Sequence, residues 1–298
     1  YLIYSDKITY YKNDELIFSE GNSKAIDDEI QIDAKNFEYN KLANIINAIG
    51  DVKINNKKEN YLIYSDKITY YKNDELIFSE GNSKAISEGV LINGDDFNYD
   101  QKQNILIAKG NVKIEDKIEN LILKTDYINY NKNSEKIFTK GDTIAFVNSK
   151  YEFVSKNIFL DRKSKELKSD HYSTIKDDNL NFYKLSKFLY FYEKKFLKGE
   201  NIEVETNYQS QKNDKFYFKD AFINFKDNSF VSKDTKINIH KSVFDKERET
   251  SENIKNIFEG ENDPRIYGVS SSGNEEKVVL NKAIFTSCKK NDTCPAWS

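Results

Sequence analysis

Methionine is absent from this chain of 298 residues, and cysteine, histidine and proline occur twice each. Two cysteines exclude a scaffold held by many disulfides, although they allow one bridge in an oxidising compartment. No window approaches 18 uninterrupted apolar residues, so no membrane-spanning helix is predicted. The chain begins at Tyr1 and shows no signal peptide, so we expect a fragment or a processed product whose missing targeting signal carries no information.

Motifs that carry catalysis are also missing. The sequence has no Gly-rich phosphate loop, nucleophile elbow or paired-histidine motif. His171 and His240 lie far apart in different repeat units. Aspartates recur at equivalent repeat positions, which favours a strand-start or turn role: Asp6, Asp66, Asp96 and Asp126. We therefore predict no catalytic residues, no metal site and no cofactor, and thus a protein that is not an enzyme.

Neither sign of charge dominates the chain. The 46 basic and 49 acidic residues give a net charge of −3 and are interspersed throughout, so a nucleic-acid partner is not predicted. Hydrophobic residues make up 38% and aromatic residues 14%, which is lean for a thick core but too rich for disorder. Aromatic and β-branched residues suit half-buried strands. An elongated β architecture, thin in cross-section, accounts for both observations.

An internal repeat organises the sequence, because residues 1–26 recur without change as residues 61–86. A glycine series recurs at a nearly constant interval: Gly21, Gly50, Gly81, Gly110 and Gly141. A tyrosine series follows the same spacing: Tyr10, Tyr39, Tyr70, Tyr99 and Tyr130. The unit is therefore about 30 residues long, a period typical of repeat architectures. The identical copy spans two units.

Each unit predicts a β-hairpin. Residues 6–10 alternate in polarity, as a strand with one apolar face does. A polar tetrapeptide such as residues 12–15 then favours a turn. A second strand follows, and its glycine indicates a bulge or bend. Stacked hairpins of this kind share one interior, so the fold class predicted is all-β, an elongated antiparallel β-jellyroll built from repeated bent hairpins.

The repeat continues in degraded form beyond Gly141. We predict a jellyroll over residues 1–240, a charged connector over 241–264 and junction strands over 265–298. The aromatic-rich segment Leu185–Leu197 alternates in polarity and is predicted to form one strand with both faces partly covered.

Two segments carry a resemblance to a known family. The unit Ala34–Tyr39 followed by Ala48–Ile54, repeated as Asp95–Tyr99 and Ala108–Ile114, resembles the OstA-type repeat of the lipopolysaccharide-transport proteins. The C-terminal segments Asn262–Gly268, Ala283–Cys288 and Pro295–Ser298 resemble the junction between jellyroll and transmembrane barrel in the outer-membrane LptD family. The related LptA and LptC families are not expected to carry that junction.

The resemblance implies a role in lipopolysaccharide transport. The periplasmic jellyroll would receive lipopolysaccharide from an LptA-like bridge by edge-strand addition, and conduct its acyl chains to an outer-membrane barrel absent from this sequence. An LptE-like lipoprotein would plug that barrel. The location implied is the cell outer membrane, with this region in the periplasm. A bridge protein of the LptA type and a purely structural β-repeat or adhesin remain as alternatives.

Alternation of polarity selects the residues expected to line such a groove. The candidates are Ile8, Tyr10, Phe37, Tyr39, Val52, Ile54, Ile68, Tyr70, Phe97, Tyr99, Val112, Ile114, Ile128 and Tyr130. Simple packing of the interior is the alternative for each of them. The partner edge strand is expected to involve Leu2, Ile3, Tyr4 and Ile8.

The cysteines are disulfide candidates with two possible arrangements. Cys288 matches the junction cysteine of the family, which in relatives pairs with a barrel cysteine. Cys294 offers a nearer partner, six residues along the chain. A local Cys288–Cys294 bridge would close a small loop and add little stability.

Overall fold

The computed structural model describes residues 2–210, 213–240 and 264–287. Its regular structure in these ranges is antiparallel β-sheet, so the predicted all-β jellyroll of repeated bent hairpins is confirmed. The same ranges contain no helix with the length and apolar character needed to cross a membrane.

The strands follow one another with short connections. The first part of the chain contains β1 (Leu2–Tyr4), β2 (Lys7–Tyr11), β3 (Leu16–Ile26), β4 (Ile30–Asn40), β5 (Ile45–Asn56), β6 (Tyr61–Tyr71), β7 (Leu76–Ser87), β8 (Val90–Asp100), β9 (Ile105–Asp116), β10 (Leu121–Asn131), β11 (Lys136–Thr139), β12 (Asp142–Val147), β13 (Tyr151–Lys156) and β14 (Phe159–Asp161). The second part contains β15 (Glu166–Ser169), β16 (Ser173–Lys176), β17 (Phe182–Leu185), β18 (Lys187–Phe191), β19 (Phe196–Glu205), β20 (Lys215–Asn224), β21 (Ser229–Asn238), β22 (Arg265–Gly273) and β23 (Val278–Thr286).

The chain divides into two compact units. Unit 1 comprises Tyr1–Ser149 and Lys156–Ser164, and unit 2 comprises Lys150–Ser155 and Lys165–Ser298. The predicted connector, apart from Pro264, lies outside the described residues, so the boundaries predicted at residues 240 and 264 stay a prediction.

Unit 1 is built from long strands that bend near their midpoints. Strands β3 to β9 each pair antiparallel with the strands on both sides. The register shifts at the bend, for example between Glu80 and Ser83 of β7. Gly81 has a φ of +80°, and a Cβ there would lie 2.7 Å from Asp66 Oδ2, so only glycine fits. The bend predicted from the glycine series is confirmed.

Buried hydroxyl groups meet on the inner side of these bends. Ser83 Oγ lies 2.6 Å from Ser79 Oγ and 3.2 Å from Ser65 Oγ. Threonines at the equivalent positions, two 30-residue repeats further along the chain, form the same arrangement. There Thr143 Oγ1 donates to Thr139 Oγ1 at 2.7 Å and lies 3.2 Å from Thr125 Oγ1. The bend interrupts the ladder, and these hydroxyls satisfy polar groups that would otherwise be buried without partners.

Turns at the two ends of the bent strands form two rows. The first row contains residues 27–29, 57–60, 88–89 and 117–120. The second row contains residues 12–15, 41–44, 72–75, 101–104 and 132–135, and is continued by Arg162 and Lys163. Because every strand bends, the sheet folds over and the two rows face each other. The apolar core lies between the two halves of the folded sheet, where Ile54, Ile114 and Ile128 are fully buried.

The identical segments 1–26 and 61–86 adopt different structures in their two positions. Residues 61–71 form the continuous strand β6 between β5 and β7. The same sequence at residues 1–11 forms two shorter strands, β1 and β2, which within the described residues pair with β3 alone. The difference therefore comes from the neighbouring strand and not from local sequence.

Unit 2 continues with shorter bent strands. Strands β19 to β23 pair antiparallel in succession, and β22 joins β21 to β23. The prediction of one strand over Leu185–Leu197 is wrong, because β18 and β19 form a hairpin that closes at the Phe191–Phe196 pair. Lys195 takes a φ of +56° in the polar turn, which reverses the chain.

Candidate functional site

The predicted groove residues lie on the inner face of unit 1. Eleven of them are at most 6% exposed: Phe37, Val52, Ile54, Ile68, Tyr70, Phe97, Tyr99, Val112, Ile114, Ile128 and Tyr130. Tyr39 is half-buried, and its hydroxyl donates to Asn44 Oδ1 at 3.0 Å. The inner face is therefore apolar along both arms of each hairpin, with buried hydroxyls at the bends and the Tyr39 and Tyr99 hydroxyls directed toward the turns.

Ile8 and Tyr10 differ from their repeat equivalents. They pair with Ser19 and Ile17, which places them on the inner face of the sheet. Nevertheless Ile8 is 48% exposed and Tyr10 is 41% exposed, whereas Ile68 is only 1% exposed. Both positions therefore lack the cover that their later copies have, because in the described residues no strand lies on the other side of β2, and their place in a groove stays a prediction.

The candidate partner edge is exposed as well. Leu2 is 64% exposed and Tyr4 is 55% exposed, and Ile3 is half-buried. In the second copy of the segment, β5 occupies the position beside the equivalent strand, with Ile54 opposite Ile63. The edge of β1 and β2 therefore presents apolar side chains where a further strand has its place in the repeat.

Tyrosine rings line a slot on the inner face of unit 1. The rings of Tyr61 and Tyr99 make an edge-to-face contact with centroids 5.2 Å apart. They surround a narrow slot of about 40 Å³ together with Val90, Ile92, Leu106 and Tyr130. Burial raises the pKa of the Tyr99 hydroxyl well above its ordinary value, so the tyrosine is neutral at physiological pH. The slot is small and mostly apolar, and Lys132 is the charged residue among those that line it.

The opening between the two rows of turns is called the mouth of unit 1. Side chains from its two sides contact each other across this opening. Lys72 Nζ lies 3.1 Å from Asp27 Oδ2. One unit later, Gln101 Nε2 donates to the Tyr61 hydroxyl at 2.7 Å. Each of these contacts, which we call clasps, connects a residue of the second row to a residue on the opposite side of the mouth.

Two further clasps continue the series. Lys132 Nζ donates to the Glu59 carbonyl at 2.8 Å, and Arg162 Nε donates to Asp116 Oδ2 at 2.7 Å. The second-row members of the four clasps follow one another at the repeat interval, so each of these four successive repeats supplies one clasp.

Unit 2 contains a larger cavity of about 430 Å³. Its apolar lining is Tyr183, Val204, Phe216, Phe218, Ile223, Phe230 and Val278. Its polar lining is Asn179, Asn181, Thr206, Asp214, Asn228, Asn274, Glu275, Glu276 and Lys277. An apolar floor beneath a polar rim is the arrangement that suits an amphiphile.

An aromatic cluster fills the interior of unit 2 beside this cavity. Phe225 stacks on Tyr151 at 5.1 Å and contacts Tyr183 at 5.3 Å between ring centroids. Tyr190 is fully buried against Phe153, and its hydroxyl has no hydrogen-bond partner within the described residues. Burial raises the pKa of Tyr190 far above its ordinary value, so this hydroxyl is neutral.

Neither the clasps nor the unit 2 cavity was predicted from the sequence. Lys72 and Lys132 occupy equivalent positions two units apart, and that recurrence was available as a signal. The cavity left no repeat signal, because its lining comes from degraded units and from both sides of the predicted connector.

The disulfide candidates and possible metal ligands complete the survey of the predicted positions. Cys288 and Cys294 lie outside the described residues. Within residues 2–210, 213–240 and 264–287, no three His, Cys, Asp or Glu side chains are grouped so as to hold a metal ion.

Comparisons with known proteins find solved structures that are similar to part of this chain. No family model matches the chain, and no curated protein matches it. The chain is similar to the crystal structure of LptH from Pseudomonas aeruginosa, described as the LptA homologous periplasmic component of the lipopolysaccharide transport device. The two are 15% identical with a TM-score of 0.35, and the match covers 37% of this chain and 81% of LptH.

Proposed function

We propose that this chain is the periplasmic jellyroll of a lipopolysaccharide-assembly protein of the LptD type. In this function, it receives lipopolysaccharide from a periplasmic bridge and conducts the acyl chains to an outer-membrane barrel. The OstA-type repeat and the junction-like C-terminal segment support the family, and the apolar inner faces support the cargo.

The observation that carries the proposal is the repetition of the lining. Phe37, Val52 and Ile54 recur two units later as Phe97, Val112 and Ile114, and all six are at most 3% exposed. Each acyl CH₂ group removed from water contributes roughly 0.8 kcal/mol. A lining that repeats offers many sites of similar affinity, so a chain could move from one to the next without a deep trap.

The unit 2 cavity supports the same cargo. Phe216, Phe218 and Phe230 provide a floor for acyl chains, while Asn228 and Lys277 lie among the polar groups on its rim. An amphiphile placed there keeps its polar head near water and its chain against aromatic rings.

Partner strands would extend the apolar lining at the β1 and β2 edge. The main-chain groups of that edge suit antiparallel addition of an LptA-like bridge, with the pairing of β5 on β6 as its template. An LptE-like lipoprotein would act through a barrel outside this sequence. A bridge protein of the LptA type is the alternative within the same pathway.

A purely structural β-repeat with a dry core is a second candidate function. The small slot of unit 1, about 40 Å³, favours it, since an acyl chain needs several times that space. Under the lipid proposal the sheet must open before unit 1 can be loaded.

Site-specific photocrosslinking in cells tests the proposal. A photoreactive residue at Tyr99 lies inward, and one at Glu115 lies on the outer face, where its carboxylate contacts Lys113. The expected result is a lipopolysaccharide adduct at Tyr99 and none at Glu115. If neither position nor Phe216 gives an adduct in folded periplasmic protein, the structural repeat is the better function.

A further inference from the structure

We propose that a port in the mouth of unit 1, which Lys132 latches shut, gives a lipid a second entry to the interior besides the β1 and β2 edge. This inference rests on the proposed function and adds the place at which a lipid enters the interior of unit 1. The port is the cleft between the two rows of turns lined by Lys58, Glu59, Asn60, Glu88, Asn104, Lys132 and Asn133.

Two spaces meet at this position. The outer cleft has a volume of about 310 Å³ and is lined by polar and charged side chains. The inner slot, about 40 Å³, is lined by Tyr61, Tyr99 and Tyr130. Asn104 and Lys132 line both spaces, so they form the partition between solvent and the apolar interior.

Lys132 holds that partition closed. Its ammonium group belongs to the second row of turns and donates to the Glu59 carbonyl in the first row at 2.8 Å. Glu88 Oε1, also in the first row, lies 3.8 Å away. The Lys132 side chain is only 15% exposed, so its stem covers the slot while its charge faces the cleft.

The other clasps are less suited to opening. Arg162 and Asp116 are buried at 6% and 2% exposure, and separating them would leave two buried charges without the ion pair that joins them. Lys132 instead loses one carbonyl bond and one loose ion pair, and its ammonium would be rehydrated in the cleft. An acidic lipid headgroup in the cleft would replace those contacts while the acyl chain passes into the slot.

The ends of unit 1 offer a less direct route. A chain threaded from the β2 end must pass the inner face bounded by buried Phe37 and Ile54 before it reaches the tyrosine slot. From the cleft, the same slot lies directly behind Lys132.

The test measures photolabelling of the slot by myristate that carries a diazirine at its chain end. Lys132→Met removes the latch and keeps the apolar stem. Lys163→Met is the matched control, because Lys163 Nζ also donates to a carbonyl at 2.8 Å, that of Asn133 in its own row. Lys132→Arg keeps the charge and the reach. We expect Lys132→Met to label about two- to tenfold faster than the native chain, the factor that one intramolecular hydrogen bond contributes. The two controls should match the native chain.

A clamp across the cleft provides the opposite change. In a chain that carries Cys288→Ser and Cys294→Ser, the substitutions Lys58→Cys and Asn133→Cys provide two thiols that a reducible bifunctional reagent joins. Labelling should slow with the clamp in place and recover on reduction. Labelling that is insensitive to the clamp, or equal in Lys132→Met and Lys163→Met, overturns the port.

Spin labels on the same two cysteines report opening without any lipid. A wider distance distribution in Lys132→Met with labelled slot residues supports both the latch and the lipid function. A wider distribution with no slot labelling in any variant supports the latch and overturns the proposed lipid function. An unchanged distribution overturns the latch.

Discussion

Arg162 and Asp116 form a buried ion pair inside unit 1, with Arg162 Nε 2.7 Å from Asp116 Oδ2 and side chains 6% and 2% exposed. Arg162 Nη1 also lies 3.2 Å from Glu135 Oε2. Burial alone lowers the pKa of Arg162, but the hydrogen bond and charge of Asp116 outweigh it and the pKa is raised. This level of the mouth is therefore closed by paired charges.

Breaking the pair from one side should be costly. Arg162→Met leaves the Asp116 carboxylate buried without its partner, and we expect the free energy of unfolding to fall by about 3–5 kcal/mol. Urea unfolding at neutral pH measures it. Adding Asp116→Asn should recover much of the loss, since no charge remains buried at residue 116 and the amide oxygen still accepts from the Ile118 and Glu119 amides. If the double variant is no more stable than the single one, packing of the Arg162 stem is the cause instead.

The Asp27–Lys72 clasp should respond to acid. Burial raises the pKa of Asp27, but hydrogen bonds from the Ile30 amide and Lys72 outweigh it, and the pKa falls below its ordinary 3.8. A lowered folded-state pKa stabilises the protein above the unfolded value and loses that effect as pH falls through the folded value. The stability difference between the native chain and Asp27→Asn should therefore be full at neutral pH and be lost as the pH falls through the folded-state pKa, which lies below 3.8. Exposed Asp28→Asn is the control, and a difference that persists in acid contradicts the assignment.

The hydroxyl cluster at the β7 bend should distinguish serine from alanine. Ser83 Oγ donates to the Asp95 carbonyl at 3.1 Å and contacts Ser79 Oγ at 2.6 Å. Ser83→Ala leaves buried polar atoms without a partner and should cost about 1–3 kcal/mol in thermal or urea unfolding. Ser83→Thr should cost less than about 1 kcal/mol, because Thr143 fills the equivalent place and threonine suits strands. Equal losses in both variants would argue against the hydrogen bonds.

The two identical segments offer a matched test of the partner edge. A photoreactive residue at Tyr4, which is 55% exposed, should crosslink a partner protein in cells. The same residue at Tyr64 should not, because β6 is already paired on both sides. Products are compared by immunoblotting and mass spectrometry. Equal adducts at both positions would show that the crosslinks are not specific to an open edge.

Much of the fold was predictable because the same bend and strand patterns recur in successive repeats. Gly21 and Gly81 predict bends, and Phe97 and Tyr99 alternate with polar residues as a half-buried strand requires. The exposure of Ile8 does not follow from the residues around it, since the same segment is buried at Ile68 and the difference lies in a strand remote in sequence; only the place of the segment at the edge predicts it. Local patterns report which face is apolar, but not what covers that face.

The candidate site was predictable in its lining and not in its closure. Ile54 and Ile114 follow from alternation, whereas Lys132 and Glu59 approach each other only because the sheet folds over. The hairpin at Lys195 was missed for a related reason. The aromatic residues around Phe191 and Phe196 continue the strand pattern on both sides of a short polar turn. That turn becomes evident only from the pairing of the two strands.

The identical segments also make unit 1 adjustable in length. Because residues 1–26 and 61–86 are the same, excising residues 27–86 would join Ile26 to Ser87 and recreate the sequence that now surrounds Ile86. The excision removes whole hairpins, so every surviving strand keeps a neighbour of the same type, and the turns stay on their own rows. A recombination event between the two copies could shorten the span of the protein in one step, and a further duplication could lengthen it, without redesign of a single contact at the joint.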